Sequence, residues 1–195
     1  MLLDDLSVFL CQNLVQTHLR RLWRPDIGTQ LLFAKGDKRF RIPKGGATRS
    51  PYYNDTSYHP AMNPESVLAV GVNGWNWVDQ VSEYVTFDLD SLLNHGDGLK
   101  PEQLAEIVEK IKAVPEAEIV RSKSGLGYHV RLYFDPHPSA DTHDDHAHNG
   151  RRALAWLGKK IDMPLEASVD MCGAMAWIWH QRSEPNGFEL IKEAT

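Results

Sequence analysis

The sequence predicts an α+β fold organised around a strand–helix–strand–strand–helix–strand unit, and three observations carry that expectation. Apolar and polar residues alternate in EYVTFDLD and again in YHVRLYF, the period-two mark of half-buried strands. Pro101 opens a stretch with Leu104, Ile107, Val108 and Ile111 on one face, the spacing of an amphipathic helix. The turn-prone KSGLG joins two strand-like runs into a hairpin. With 195 residues, the chain has the length of one domain, or one domain plus a small subdomain.

In chain order, residues 4–23 carry Leu6, Phe9, Leu10, Leu14 and Leu19 near helical spacing, with acids in the first turn. From Arg24 to Pro64 the chain is rich in Gly, Pro, Asn, Ser and Tyr. Short strands are expected there at 30–34 and 39–42, and another at 66–72. Residues 83–90 form the next strand and 101–114 a helix. Strands follow at 117–122 and 128–134, then a helix over 141–161 with Ala153, Leu154, Leu157 and Ile161 as its apolar stripe. A final strand or strand pair spans 168–179. The order from residue 83 onward is that of ferredoxin-like and RNA-recognition-motif folds. The expected division is an N-terminal helix and small α/β module over 1–82, followed by an RRM-like catalytic unit over 83–195.

Composition narrows the class. There is no run of eighteen apolar residues, so no membrane span is expected. MLLDDLSVFLCQNL lacks the charge order and cleavage site of a signal peptide. Cys11 and Cys172 cannot make a disulfide framework or a four-ligand zinc site by themselves. An intracellular, cytoplasmic protein is the expectation. The net charge of −5 argues against a basic coat, yet Arg20, Arg21, Arg24, Lys35, Lys38, Arg39, Arg41, Lys44 and Arg49 crowd one segment. Such a concentration either tracks a phosphate backbone or is a solvated surface.

Alternation places the chemistry. Phe87 and Leu89 point one way and Asp88 and Asp90 the other; Val130, Leu132 and Phe134 oppose His129, Arg131 and Tyr133; Val169 and Met171 oppose Asp170. The ferredoxin-like order sets the first strand between the third and fourth, with helices over the apolar face. Asp88, Asp90, His129, Arg131 and Asp170 should therefore converge on an open face. Two carboxylates about 4 Å apart repel by about 4 kcal/mol at an effective dielectric of 20. Mg²⁺ or Mn²⁺ would remove that cost, and a pair of such ions suits displacement at phosphorus. A lone DxD is more often a surface turn, but here apolar residues flank both acids and a third shares the face. In RSKSGLGYH, Gly125 and Gly127 would let backbone N–H groups approach an anion, with Lys123, Ser124 and His129 as further donors. A plain hairpin also needs such glycines, and His129 equally fits a general base or a structural role.

VTFDLD, SGLGYH and SVD, in this order and on these elements, resemble the archaeo-eukaryotic primase superfamily, above all the primase-polymerases of phages and plasmids. Asp88 and Asp90 match its first motif, Ser124, Gly125, Gly127 and His129 its second, and Val169 with Asp170 its third. The resemblance implies two-metal nucleotidyl transfer, with Asp88, Asp90 and Asp170 as catalytic metal ligands and the second motif holding the triphosphate. An arginine often follows the family's third motif; WIWHQR supplies His180 and Arg182 there, without the accompanying Leu-Pro-Gly. Lys35, Lys38 and Arg39 stand where a template or triphosphate passes in that family. Single-stranded DNA and nucleoside triphosphates are the implied partners, with a helicase or accessory domain in the same or another chain. A phage- or plasmid-encoded fragment of a larger replication protein fits this likeness, which covers about residues 85–182.

Other features have plainer readings. His143, His146 and His148 with Asp141, Asp144 and Asp145 read as the solvated start of a helix before a metal site. Trp75, Trp77, Trp177 and Trp179 suit core packing or base stacking. Two rival functions stay open. A DxD glycosyltransferase requires a parallel sheet that this element order does not supply. A non-catalytic RRM-like binding domain predicts aromatic residues on the sheet face, where Tyr133 alone is available.

Overall fold

A computed structural model describes residues 2–23, 32–35, 38–41, 69–72, 74–90, 99–165, 170–171 and 176–195. Its elements are α1 (Leu2–Asn13), α2 (Thr17–Arg20), β1 (Leu32–Lys35), β2 (Lys38–Arg41), β3 (Ala69–Val72), β4 (Trp75–Asn76), β5 (Val81–Ser82), β6 (Tyr84–Leu89), α3 (Pro101–Lys112), β7 (Ala117–Arg121), β8 (Tyr128–Tyr133), α4 (His143–Lys160), β9 (Asp170–Met171), β10 (Ala176–His180) and β11 (Leu190–Lys192). No helix among the described residues is long and apolar enough to cross a membrane.

The chain is α+β. Its central sheet has the order β11-β7-β8-β6-β9 with every pairing antiparallel, so the first strand of the βαββαβ unit lies between the third and fourth. Helices α3 and α4 cover one face. α3 begins at Pro101, and Gln103 accepts a hydrogen bond from the Lys100 N–H at 3.3 Å. It buries Leu104, Ile107, Val108 and Ile111 against the sheet. α4 starts two residues later than the expected 141, because Thr142 is its N-cap. The Thr142 hydroxyl accepts from the Asp145 N–H at 3.2 Å, and the Asp145 carboxylate accepts from the Thr142 N–H at 2.9 Å.

Three differences from the sequence reading have local causes. The helix expected over 4–23 is two helices, broken at 14–16, and the Arg20 side chain folds back to donate to the carbonyls of Leu14 and Cys11 at the end of α1. The strand or strand pair expected over 168–179 is a pair, but its members lie in different sheets. β9 extends the central sheet, whereas β10 joins a second sheet of order β10-β3-β1-β2, which therefore draws on both halves of the chain. The C-terminal β11 pairs with β7 and had no counterpart in the reading.

The face expected to be open is largely covered. Leu10, Leu14, Leu19 and Leu22 of the N-terminal segment pack with Val70, Val72, Ile178 and Phe188 against Tyr84 and Val120 of the central sheet. Val120 and Tyr84 are apolar patches on the acid-bearing face, and a second layer is what removes them from water. Arg131 lies under that layer with no exposed surface, its guanidinium donating at 2.8 Å to the equally buried Glu118. It is thus a structural ion pair and not part of an open site. Arg21 of the N-terminal segment donates to the other Glu118 oxygen, and the Tyr133 hydroxyl reaches the first at 3.4 Å.

Candidate active site

β6 alternates as its sequence requires. Phe87 and Leu89 are buried among the helices, and Asp88 projects to the other face with 29% of its side chain exposed. Across the sheet, Asp88 is in register with His129 on β8 and with Asp170 on β9, so one row crosses three strands. Asp90 follows immediately after β6, partly exposed, and its backbone carbonyl accepts from the Leu99 N–H at 2.8 Å. The side chain of Asp170 lies outside the described residues.

His129 is almost fully buried. Its Nε2 is 3.7 Å from Asp88 Oδ1, and its Nδ1 has no hydrogen-bond partner among the described residues. Burial, and then the positive charge of Arg131, push its pKa down to about 3. The ring is therefore neutral near pH 7 and a poor general base, and it is available as a single N–H donor.

The turn between β7 and β8 is a closed unit. The Ser122 N–H donates to the Gly127 carbonyl at 2.8 Å, the Gly125 N–H to the Ser122 carbonyl at 3.0 Å, and the Leu126 and Gly127 N–H groups to the hydroxyls of Ser124 and Ser122. These N–H groups are used inside the turn, so they do not form the expected anion cradle. The glycines serve shape instead. Gly125 has φ +76°, a conformation side chains rarely adopt. A Cβ on Gly127 would stand 2.7 Å from the Leu89 carbonyl oxygen and 3.5 Å from Asp90 Cα. Gly127 thus lets the turn lie directly on the strand end that carries the acids.

Cationic groups gather beside the turn. The Glu184 N–H donates to the Lys123 carbonyl at 3.1 Å, and Gly187 approaches the same oxygen closely enough that a Cβ would stand 2.7 Å away. This contact brings the residues after β10 to the turn. His180 is held down to about pKa 4, first by burial and then by the charges of Lys123 and Arg182. The Arg182 N–H donates to His180 Nδ1 at 2.9 Å, which leaves Nε2 as the protonated nitrogen of the neutral ring. Lys123, His180 and Arg182, picked out separately in the sequence, are therefore electrostatic neighbours.

Other expected residues fall elsewhere or are only partly described. Lys38 pairs with Lys35 and Arg39 with Ala34 in the β1–β2 hairpin, at the edge of the second sheet; their side chains lie outside the described residues. Trp75 is structural, its indole N–H donating to the Ala140 carbonyl at 2.8 Å, and Trp77 packs on its edge. Trp177 and Trp179 pack against the second core. His146 is not solvated as the plain reading of that His/Asp segment expects: it is buried on the sheet side of α4 and hydrogen-bonds the buried Ser82 hydroxyl through Nδ1 at 2.9 Å. Among the described residues no group of three or more His, Cys, Asp or Glu is placed to hold a metal ion.

The sequence reading passed over Glu118 and Trp156. Glu118 had a signal: the KSGLG hairpin fixes a register in which it faces Arg131. Trp156 is 41% exposed on α4 among residues otherwise read as an apolar stripe.

An antiparallel sheet with an Asp170–Asp88–His129 row at one end and a glycine turn laid on it forms the candidate site. No family model matches the chain, and no curated protein matches it. Among solved structures, it is similar to the polymerase domain of Ligase D from Mycobacterium tuberculosis, solved in complex with DNA. The TM-score is 0.48 and the identity 15%, over 95% of this chain and 72% of that one. A likeness of that degree carries no argument about what this chain does.

Proposed function

We propose that the chain is a nucleotidyltransferase that primes or extends DNA on a single-stranded template. The observation that supports this best is the row in which Asp88 faces Asp170 on one side and His129 on the other, with the Gly127 turn packed on its end. Carboxylates directly opposite on neighbouring strands bring their Cβ atoms within roughly 4.5–5.5 Å, and like charges so placed destabilise a sheet. Hard divalent cations relieve that repulsion, so the donor chemistry fits Mg²⁺ or Mn²⁺. Asp88, Asp90 and Asp170 would be the ligands. Bound there, two such ions neutralise phosphoryl oxygens and acidify an attacking hydroxyl.

The chain's own residues then divide the remaining work. Lys123, His180 and Arg182 hold the triphosphate, with Ser124 at the turn beside them. Neutral His129 offers its N–H at the Asp88 end of the row without adding charge. The 3′-hydroxyl oxygen, or that of the first nucleotide when priming, gives its proton to solvent and bonds to the α-phosphorus; the bond to the bridging oxygen breaks and pyrophosphate leaves. Lys35, Lys38 and Arg39 are assigned to the template. The rival readings lack comparable support. All described pairings of the central sheet are antiparallel, unlike the parallel sheet of a sugar-nucleotide transferase. Tyr84 and Tyr133 pack into the second core instead of presenting rings for stacking.

The test is nucleotide incorporation on single-stranded DNA, with and without a primer, with ribo- and deoxynucleotides, in Mg²⁺ and in Mn²⁺. Product from the wild-type chain should fall by roughly 10³-fold or more in Asp88→Ala plus Asp90→Ala, the scale on which charge-stabilising groups act. Equal product from both proteins would refute the assignment.

A further inference from the structure

On the helix side of the central sheet, away from the acid row, a cavity of about 420 Å³ opens between α4 and the ends of β7 and β8. Leu132, Phe134, Pro136, Pro138 and Ala153 give it apolar walls, and Trp156 of α4 lines it with a partly exposed ring. That volume falls within the roughly 300–1,000 Å³ usual for small-ligand pockets. Along the strands, Phe134 is five positions from His129, or about 16 Å at strand rise, so the cavity and the acid row occupy opposite ends.

Charge organises its rim. Arg152, Trp156 and Lys160 follow at four-residue intervals and share one face of α4. The Lys160 ammonium lies 5.6 Å from the Trp156 ring centroid. From His146 to Ile161 the chain has no acid and adds Arg151 and Lys159. Among the described residues none of these four cations forms an ion pair, whereas Arg21, Lys110, Lys112 and Arg121 all do. On the strand side the cavity is lined by Glu116 and Asp135. Carboxylates there repel a phosphate and accept from the N–H groups of a base, a thymine N3–H included, which gives an occupant a polarity: phosphate towards the helix, base inward. From Arg152 to Lys160 the stripe extends about 12 Å along the helix axis, with a cation on either side of the ring. That length exceeds what one phosphate needs and suits successive phosphates of a strand.

We propose that this face of α4 is a second nucleic-acid contact, which takes one nucleotide of a single strand into the cavity, its base against Trp156 and its flanking phosphates on Arg152 and Lys160. Aromatic stacking beside a cationic track is the chemistry of sequence-tolerant single-strand binding. The contact is independent of the proposed transfer reaction, because it uses no residue of the acid row or of the glycine turn.

The experiment is photocrosslinking of the full chain to an oligothymidylate carrying 5-iodouracil, with the crosslinked peptides identified by mass spectrometry. Binding of the same strand is followed by fluorescence anisotropy across a salt series. A crosslink is expected in the peptide containing Trp156, abolished in Trp156→Leu. Arg152→Glu plus Lys160→Glu, both on the surface, should weaken binding about tenfold and lower the salt slope by about 2. Crosslinks confined to other peptides, or an unchanged affinity and salt slope in the double variant, would overturn the proposal. Equal protection of Trp156 by thymidine monophosphate would also overturn it, in favour of a free-nucleotide site.

Discussion

One face of the central sheet treats its polar residues in two opposite ways. At the end near the glycine turn, Asp88 and His129 stand across from each other with Asp170 next in the row, and Asp88 retains contact with solvent. Two residues along, Thr86, Arg131 and Glu118 form the next row on the same face, sealed beneath the N-terminal helices with the opposite charges paired at 2.8 Å. The alternation that creates the two rows is identical. What separates them is charge balance and cover. The sealed row joins a cation to an anion, and its burial is tolerable because Glu118 also receives Arg21 and Tyr133. The open row sets an acid opposite an acid, the arrangement to which we assign divalent cations. The first row welds two layers together, and the second is the one to which we assign chemistry.

The contrast can be broken at either end. The largest effect on stability is expected from Glu118→Ala, which strands Arg131 in the interior. Removing one partner of a buried pair costs about 3–5 kcal/mol. Arg131 Nε and Nη2 already have no partner among the described residues, so the remaining guanidinium cannot be rescued locally. Urea unfolding should show the loss, and a midpoint within error of wild type would mean that the layers are not joined there.

Gly127→Ala should come next. The added methyl would press on the Leu89 carbonyl oxygen, and overpacking of this kind costs about 1–3 kcal/mol. Because the turn rests on the acid strand, nucleotide incorporation should fall together with stability. Gly125→Ala meets only Glu184 Cβ at 3.8 Å, an ordinary contact, and carries the strain of a positive φ, so it should cost less. Equal effects of the two substitutions would separate the turn from the acid row.

The contrast also has a pH dependence. Burial lowers the His146 pKa from 6.5 to about 4, and burial with Arg131 lowers that of His129 to about 3. The unfolded chain binds these protons near pH 6.5, so below that value unfolding takes up protons. Stability contributed by the neutral rings is complete above pH 6.5 and is lost as pH falls towards 4, with the His129 share still declining towards 3. Urea midpoints measured from neutral pH to about pH 4 should fall, and less steeply in His146→Gln. A parallel fall in the variant would assign the effect to other groups.

The local parts of this arrangement are legible in the sequence. Alternation in β6 and β8, the Pro101 start of α3 and the KSGLG turn each depend on neighbouring residues, and from them the order of the βαββαβ unit follows. Long-range parts are not legible in the same way. The break between α1 and α2 involves Arg20 reaching back to Leu14 and Cys11, and the separate fates of β9 and β10 depend on which sheet edge each meets. Alternation assigned Arg131 to the correct face but carries no information about what covers that face. The glycines of the turn were recognised, whereas their use against Leu89 and Asp90 depends on how the hairpin lies across β6.

The central claim, that the open row is built to receive divalent cations for phosphoryl chemistry, is tested most directly by Mn²⁺ binding followed by electron paramagnetic resonance of the free ion. The wild-type chain, titrated with Mn²⁺ in the presence of a nucleoside triphosphate, should remove ion from solution beyond what the nucleotide alone removes. Asp88→Asn plus Asp90→Asn should abolish that excess while leaving the melting temperature close to wild type. Equal Mn²⁺ uptake by the two proteins would contradict the account and return the row to a purely structural role.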